Sequence, residues 1–286
     1  MSVTVLTPAK INLTLDIVGT RADGYHLLES LFQSVGIYDT VTARKRWRKG
    51  IRLKADECHC PAEKNTAYKA AAAFLQHAGI RKGVHLSLSK SIPQQAGMGG
   101  GSADAAGVLV ALNNLFKTHL TTEQLCEIGL KVGADVPFCV LGGTAYVTGI
   151  GEGLQALPPL PDCAIVVAQP AEGISTKEAY AAVDNADILA RPDNGAAIAA
   201  LKAGDLPGVC AQAVNVFESA TELAGVKDIR RRMEQYNPLC SQMTGSGSCV
   251  FAIFDNDEAA EACVEDLKKD YPTAFICDPC EGIIVV

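Results

Sequence analysis

The chain has 286 residues, enough for one large domain or two medium ones, and is 48% hydrophobic and 20% charged, an ordinary globular balance. A formal net charge of -7, with no long basic run, argues against nucleic acid or an anionic membrane as a partner. No stretch of about 18 apolar residues is present to cross a bilayer. Met1–Val5 lacks the basic and apolar regions of a signal peptide. The expected location is cytoplasmic, with the 11 cysteines as reduced thiols.

In chain order, residues 3–15 read as a strand, a break at Pro8 and a second strand, the alternation running on through Asn12–Ile17. Residues 19–24 read as a turn. The segment from Tyr25 to Phe32 leads into a strand near residues 33–37, and Thr40–Arg46 with Ile51–Ala55 read as a hairpin whose turn is the basic stretch Arg44–Lys49. Asn65 and Thr66 start a helix through Leu75, and residues 84–89 alternate as a strand. A glycine-rich loop at 97–102 precedes a helix from Ala103 to about Phe116. A further helix follows to Leu130, then a strand over 141–147. Three prolines in Pro158–Pro161 mark a linker. Beyond it lie a strand from Ile165, two or three helices, a Gly-Ser loop leading into a strand over 242–254, a helix over 259–269 and two short strands. The pattern is α+β in two halves, 1–157 and 158–286, with the last strand free to return to the first half.

Two cysteine groups, Cys58-His59-Cys60 and Cys277 with Cys280, invite a zinc reading, but the first spacing is too short for a finger and the groups are far apart. Scattered free thiols are expected.

The strongest chemical signal is Pro93-Gln94-Gln95-Ala96-Gly97-Met98-Gly99-Gly100-Gly101-Ser102-Ala103. Four glycines in five residues expose backbone N–H groups, and the following helix aims its positive end at the same place, so the segment suits phosphate. No Gly-Lys-Ser/Thr ends it, which excludes a Walker A loop. Read alone, it is equally a tight strand-to-helix turn. A second glycine loop, Thr244-Gly245-Ser246-Gly247-Ser248, permits close approach of a ligand or of another loop. Lys10 and Asn12 share one face of the first strand. Asp135, between Ala134 and Val136-Pro137, reads as a helix N-cap or as a carboxylate kept for chemistry.

Pro8–Leu13, Pro93–Ala106 and Thr244–Phe254, in this order and separation, resemble the GHMP kinase superfamily across nearly the whole chain. Arg21-Ala22-Asp23-Gly24-Tyr25-His26 and Gly133-Ala134-Asp135-Val136-Pro137-Phe138 are similar to its diphosphocytidyl-methylerythritol kinase branch. The resemblance implies a two-domain GHMP kinase fold, ribosomal-S5-like in the N-terminal half and ferredoxin-like in the C-terminal half, with ATP and Mg²⁺ as cofactors. The implied partners are ATP and a small-molecule substrate. The implied reaction is ATP-dependent phosphorylation of the substrate's 2-hydroxyl, a step of non-mevalonate isoprenoid synthesis. It makes Asp135 the base and Lys10 its cationic partner, and gives the loop 93–103 and Asn65 to the nucleotide. Asn12, Tyr25, His26, Thr176 and Tyr180 fall to the substrate, with aromatic faces stacking on the base. The superfamily's metal-reaching serine has no counterpart at Gly100 or Gly101, so metal ligands stay unassigned. Two alternatives stand beside this: a GHMP kinase for another small alcohol, and a nucleotide-binding protein without catalysis.

Overall fold

Two very long strands organise the first half. In the computed structural model, which describes residues 1–55 and 61–286, β1 (Ser2–Thr20) and β2 (His26–Arg46) pair antiparallel from Ser2 opposite Arg44 to Thr20 opposite His26. Pro8 does not end the strand, contrary to the reading above. The register shifts between Pro8 and Ala9 and pairing resumes with Ala9 opposite Val35, a bulge that absorbs the missing N–H.

The expected hairpin of 40–46 with 51–55 does not form. β3 (Ile51–Ala55) runs parallel to β4 (Gly83–Ser89), which lies between it and β2. Alternation fits either arrangement. The deciding element is α1 (Thr66–His77), a crossover of the length that parallel pairing requires. Val84, Leu86 and Leu88 of β4 are buried, whereas β3 exposes Arg52 and Lys54 at the sheet edge.

Helix α2 (Gly100–Phe116) starts inside the glycine loop, earlier than expected, and is buried along most of its length against β1, β2 and α1. α3 (Thr122–Leu130) opens with a capping box between Thr121 and Gln124. α4 (Val136–Leu141) takes Leu141, where a strand was expected to begin, and β5 (Thr144–Gly149) starts only after Gly142 and Gly143. β5 pairs with Leu28–Gln33 of β2 and with β6 (Gly153–Ala156).

After Pro158–Pro161 a second sheet begins at β7 (Ala164–Ala168). Four helices follow where two or three were expected: α5 (Thr176–Val183), α6 (Asn194–Ala203), α7 (Leu206–Cys210) and α8 (Ala224–Glu234). Left-handed Gly204 ends α6 and Asp205 caps α7. β8 (Cys240–Met243), β9 (Val250–Phe254), α9 (Asp257–Leu267) and β10 (Phe275–Cys277) complete the order β10-β7-β9-β8, a split βαβ arrangement.

β11 (Ile284–Val285) returns to pair with Val5 and Leu6 of β1. Further along, the outer edge of β1 is met by parts from elsewhere. Lys10 N–H donates to Met98, Asn12 N–H to the Thr244 hydroxyl and Leu15 N–H to Val214, while Gln242 Nε2 donates to the carbonyls of Asn12 and Leu13. Both glycine loops are thereby docked against one strand.

Candidate active site

The two loops interlock through backbone. Gly97 has φ 74° and a Cβ there would collide with the carbonyl of Thr244, so only glycine lets the loops approach this closely. Cys249 N–H donates to Ala96 across the same junction. Gly99, at φ 71°, occupies the N-cap position of α2 without any side-chain cap. The first turn beyond it, Gly100-Gly101-Ser102, presents the positive end of a 17-residue helix with almost no side chain in the way. Thr66 Oγ1 ties α1 to this turn through the Gly101 carbonyl, at 2.6 Å.

Lys10 lies behind the loop, 4% exposed. Its Nζ donates to Asn12 Oδ1 at 2.6 Å, sits 4.7 Å from the centroid of Phe32 and is 4.0 Å from Asp135 Oδ2. Phe32 is braced edge-on by Phe138 of α4 at 5.0 Å. Burial holds the Lys10 ammonium below the ordinary lysine range, and the charge of Asp135 works against that shift. Asn12 is itself fixed, donating from Nδ2 to Ser30 Oγ at 2.9 Å. Asp135 stands at the N-cap position of α4 but makes no capping bond. Its carboxylate faces Lys10 instead and is 33% exposed, open to a substrate group.

A second lysine lies on the other side of the loop. Lys90 Nζ donates to Asp104 Oδ2 at 2.6 Å and also to Asp39 Oδ2, while Asp39 Oδ1 accepts the N–H groups of Ser91 and Ile92. One ammonium thus serves two buried carboxylates. Lys90 is held above its ordinary range by this pairing. Burial, with the charge of Asp39, pushes Asp104 up to about 7. The sequence reading missed this cluster; its one signal was a lone aspartate in an otherwise apolar helix.

The far end of the same cavity is aromatic. His26, the first residue of β2, stacks on Tyr180 of α5 with ring centroids 4.6 Å apart and planes at 27°. Tyr180 is backed edge-on by Phe217 at 5.0 Å, and burial pushes its hydroxyl up to about 12. His26 Nε2 is 2.7 Å from Asp184 Oδ1, a residue the sequence reading did not single out although it follows Tyr180 at helical spacing. Tyr25 is exposed and stacks on none of these rings. Thr176 Oγ1 lies 3.4 Å from Ser246 Oγ of the second loop.

Lys10, Asn12, Tyr25, His26, Asn65, Asp135, Thr176, Tyr180 and residues 93–102 all line this one cavity of 1480 Å³. Ala103 does not: it is fully buried, and its carbonyl accepts from Thr7 Oγ1 at 2.7 Å. Asn65 caps α1 by accepting from Ala67 N–H. Among the described residues no group of three His, Cys, Asp or Glu side chains is placed to hold a metal, and Cys277 and Cys280 are free thiols. Cys58 and Cys60 lie outside the described residues.

The model for the GHMP kinases N terminal domain matches residues 65–143, and that for the GHMP kinases C terminal matches residues 197–273. The chain is 41% identical to 4-diphosphocytidyl-2-C-methyl-D-erythritol kinase of Clostridium tetani, over 94% of this chain and 96% of that one. The chain belongs to this family of GHMP kinases. The enzyme of the same name from Alkaliphilus metalliredigens is 40% identical over 92% of this chain and 91% of its own. A crystal structure of 4-(cytidine 5'-diphospho)-2C-methyl-D-erythritol kinase superposes with a TM-score of 0.83 at 33% identity, covering 98% of this chain and 100% of that one. Homoserine kinase from Cytophaga hutchinsonii, at TM-score 0.78 and 21% identity, shares the fold. The family placement accounts for the α+β architecture and for kinase chemistry. Among the described residues no helix is long and apolar enough to cross a membrane.

Proposed function

We infer that the protein transfers the γ-phosphoryl group of ATP to the 2-hydroxyl of 4-diphosphocytidyl-2-C-methyl-D-erythritol, a step of non-mevalonate isoprenoid precursor synthesis. The observation that carries this reading is the grouping of Lys10, Asn12 and Asp135 at one end of a cavity that also holds a bare helix N-terminus and, at its far end, the His26–Tyr180 stack. Residues 1–157 form the nucleotide half and 158–286 the partner half, with β11 completing the first sheet.

The loop 97–102 receives the ATP phosphates on backbone N–H groups and the α2 dipole. Asp135 accepts the proton of the attacking hydroxyl. Lys10, 4.0 Å from the Asp135 carboxylate, offers its ammonium to the charge that spreads over the transferring phosphoryl oxygens. A cation beside a carboxylate weakens it as a base, but phosphoryl transfer rests mainly on position and charge stabilisation. Asn12 holds Lys10 in place, and Tyr25, His26, Thr176 and Tyr180 form the cytidine end. The residues around the loop do not make a protein cage for Mg²⁺. Mg²⁺ bound with the nucleotide would be held by phosphate oxygens and water and would neutralise phosphate charge. The acidic net charge and the nine described free thiols accord with a cytoplasmic enzyme without a nucleic acid partner.

A coupled assay of ADP release over a panel of alcohols tests this. Turnover is expected with the cytidine diphosphate ester and not with methylerythritol phosphate, homoserine or mevalonate. Equal turnover with one of the latter favours a kinase for another alcohol. ATP binding without ADP release favours a non-catalytic protein.

A further inference from the structure

The carboxylate of Asp184 has no place in the chemistry just described, yet it lies 2.7 Å from Nε2 of His26. Two elements converge there. β2 delivers the imidazole, and α5 delivers both Tyr180 and Asp184, four residues apart on one helix face. The ring is therefore held on its flat face by Tyr180 and at Nε2 by Asp184. The Asp184 backbone is fixed too, its N–H donating to the Tyr180 carbonyl at 3.1 Å.

The position of this carboxylate runs against helix electrostatics. Asp184 is the C-cap residue of α5, at the negative end of the helix, and no basic residue lies in that last turn. A negative charge there costs helix stability, and a local rule broken in a cavity wall points to function.

We propose that Asp184 is a specificity-determining positioning residue that sets the tautomer of His26 and so makes the ring select cytosine over uracil. The proposal rests on the cytidine reading above. An ionised carboxylate only accepts hydrogen bonds, so the contact requires the proton on Nε2. In its neutral form the ring is then left with an acceptor at Nδ1. Cytosine carries an amino donor at its 4-position, where uracil carries a carbonyl acceptor. An Nδ1 acceptor matches the first and opposes the second. Without Asp184 the ring is free to take the other tautomer, whose Nδ1–H suits uracil.

The test compares kcat/KM for the cytidine diphosphate substrate and its uridine analogue in wild type, Asp184→Ala, Asp184→Asn and Asp184→Glu. Nitrogen NMR of histidine-labelled wild type and Asp184→Ala reports the tautomer of His26. Wild type is expected to prefer cytidine and to carry its proton on Nε2. In Asp184→Ala the preference is expected to fall by about tenfold, the worth of one neutral hydrogen bond, through KM for the cytidine substrate, with kcat and KM for ATP unchanged. Asn, which can accept or donate, is expected to fall between, and Glu to restore part of the preference. A wild-type preference with an unchanged ratio in Asp184→Ala overturns the role of Asp184 and leaves the cytidine reading standing, as does a wild-type proton on Nδ1. A wild-type ratio near one overturns both.

Discussion

Lys10 and Lys90 flank the same glycine loop, and they are compensated in opposite ways. Lys90 touches two carboxylates directly and is held above its ordinary range. Lys10 has an amide oxygen, a ring face and a carboxylate at 4.0 Å, and burial pulls it below its ordinary range. A buried charge that is fully paired is spent on structure; one that is under-compensated keeps its field for a ligand. The difference separates an anchor that holds β4 to β2 and α2 from a group left facing the cavity, where we propose the reaction takes place.

The largest effect should come from breaking the anchor. Lys90→Met leaves Asp39 and Asp104 buried without a counter-charge and is expected to lose about 3–5 kcal/mol in denaturant unfolding. A midpoint equal to wild type would show that Lys90 is not structural, and the contrast would collapse. Next, Lys10→Met should lower kcat by about 10²–10³-fold, the scale of one lost charge-stabilising donor, with an unfolding midpoint at or above wild type because a desolvated ammonium is removed. Asp135→Asn should likewise fold, bind ATP in calorimetry and lose most turnover. Near-normal turnover in either variant would place the chemistry elsewhere.

A smaller effect sharpens the same comparison through pH. The Asp104 carboxyl titrates at about 7 in the folded protein against an ordinary 3.8. The native state therefore holds a proton that the unfolded chain has released between these values, and this residue costs wild type stability as pH rises through them. Asp104→Asn removes the titration. Its unfolding temperature relative to wild type should rise from about pH 5 to about pH 8. A flat or falling difference would mean that Lys90 fully satisfies both carboxylates.

Much of this site was legible only from segments taken together. Four glycines ahead of an apolar helix read alone as a plain turn, and it was their order and separation with Pro8–Leu13 and Thr244–Phe254 that carried the resemblance. The Lys90 cluster was not legible, because its partners lie 14 and 51 positions away and a lysine between a strand end and a proline looks solvated. Asp135 drew notice from its small neighbours, but only tertiary structure shows that it declines to cap α4. The parallel pairing of β3 with β4 escaped for a related reason: alternation reports which face is buried and says nothing about direction. Asp184 was within reach, since helical spacing from Tyr180 puts both on one face.

The outer edge of β1 carries one more consequence. A long strand with unmet backbone groups is a template on which a neighbouring molecule can add a strand of its own. Here the shield over that template is made of the two glycine loops of the candidate site: Met98 of one, Thr244 of the other, and the Gln242 side chain beside it. Substitutions that lift either loop off β1 would therefore uncover a self-association edge as well as disturb nucleotide binding. In such variants, light scattering read alongside ATP affinity separates aggregation from a true loss of the phosphate cradle.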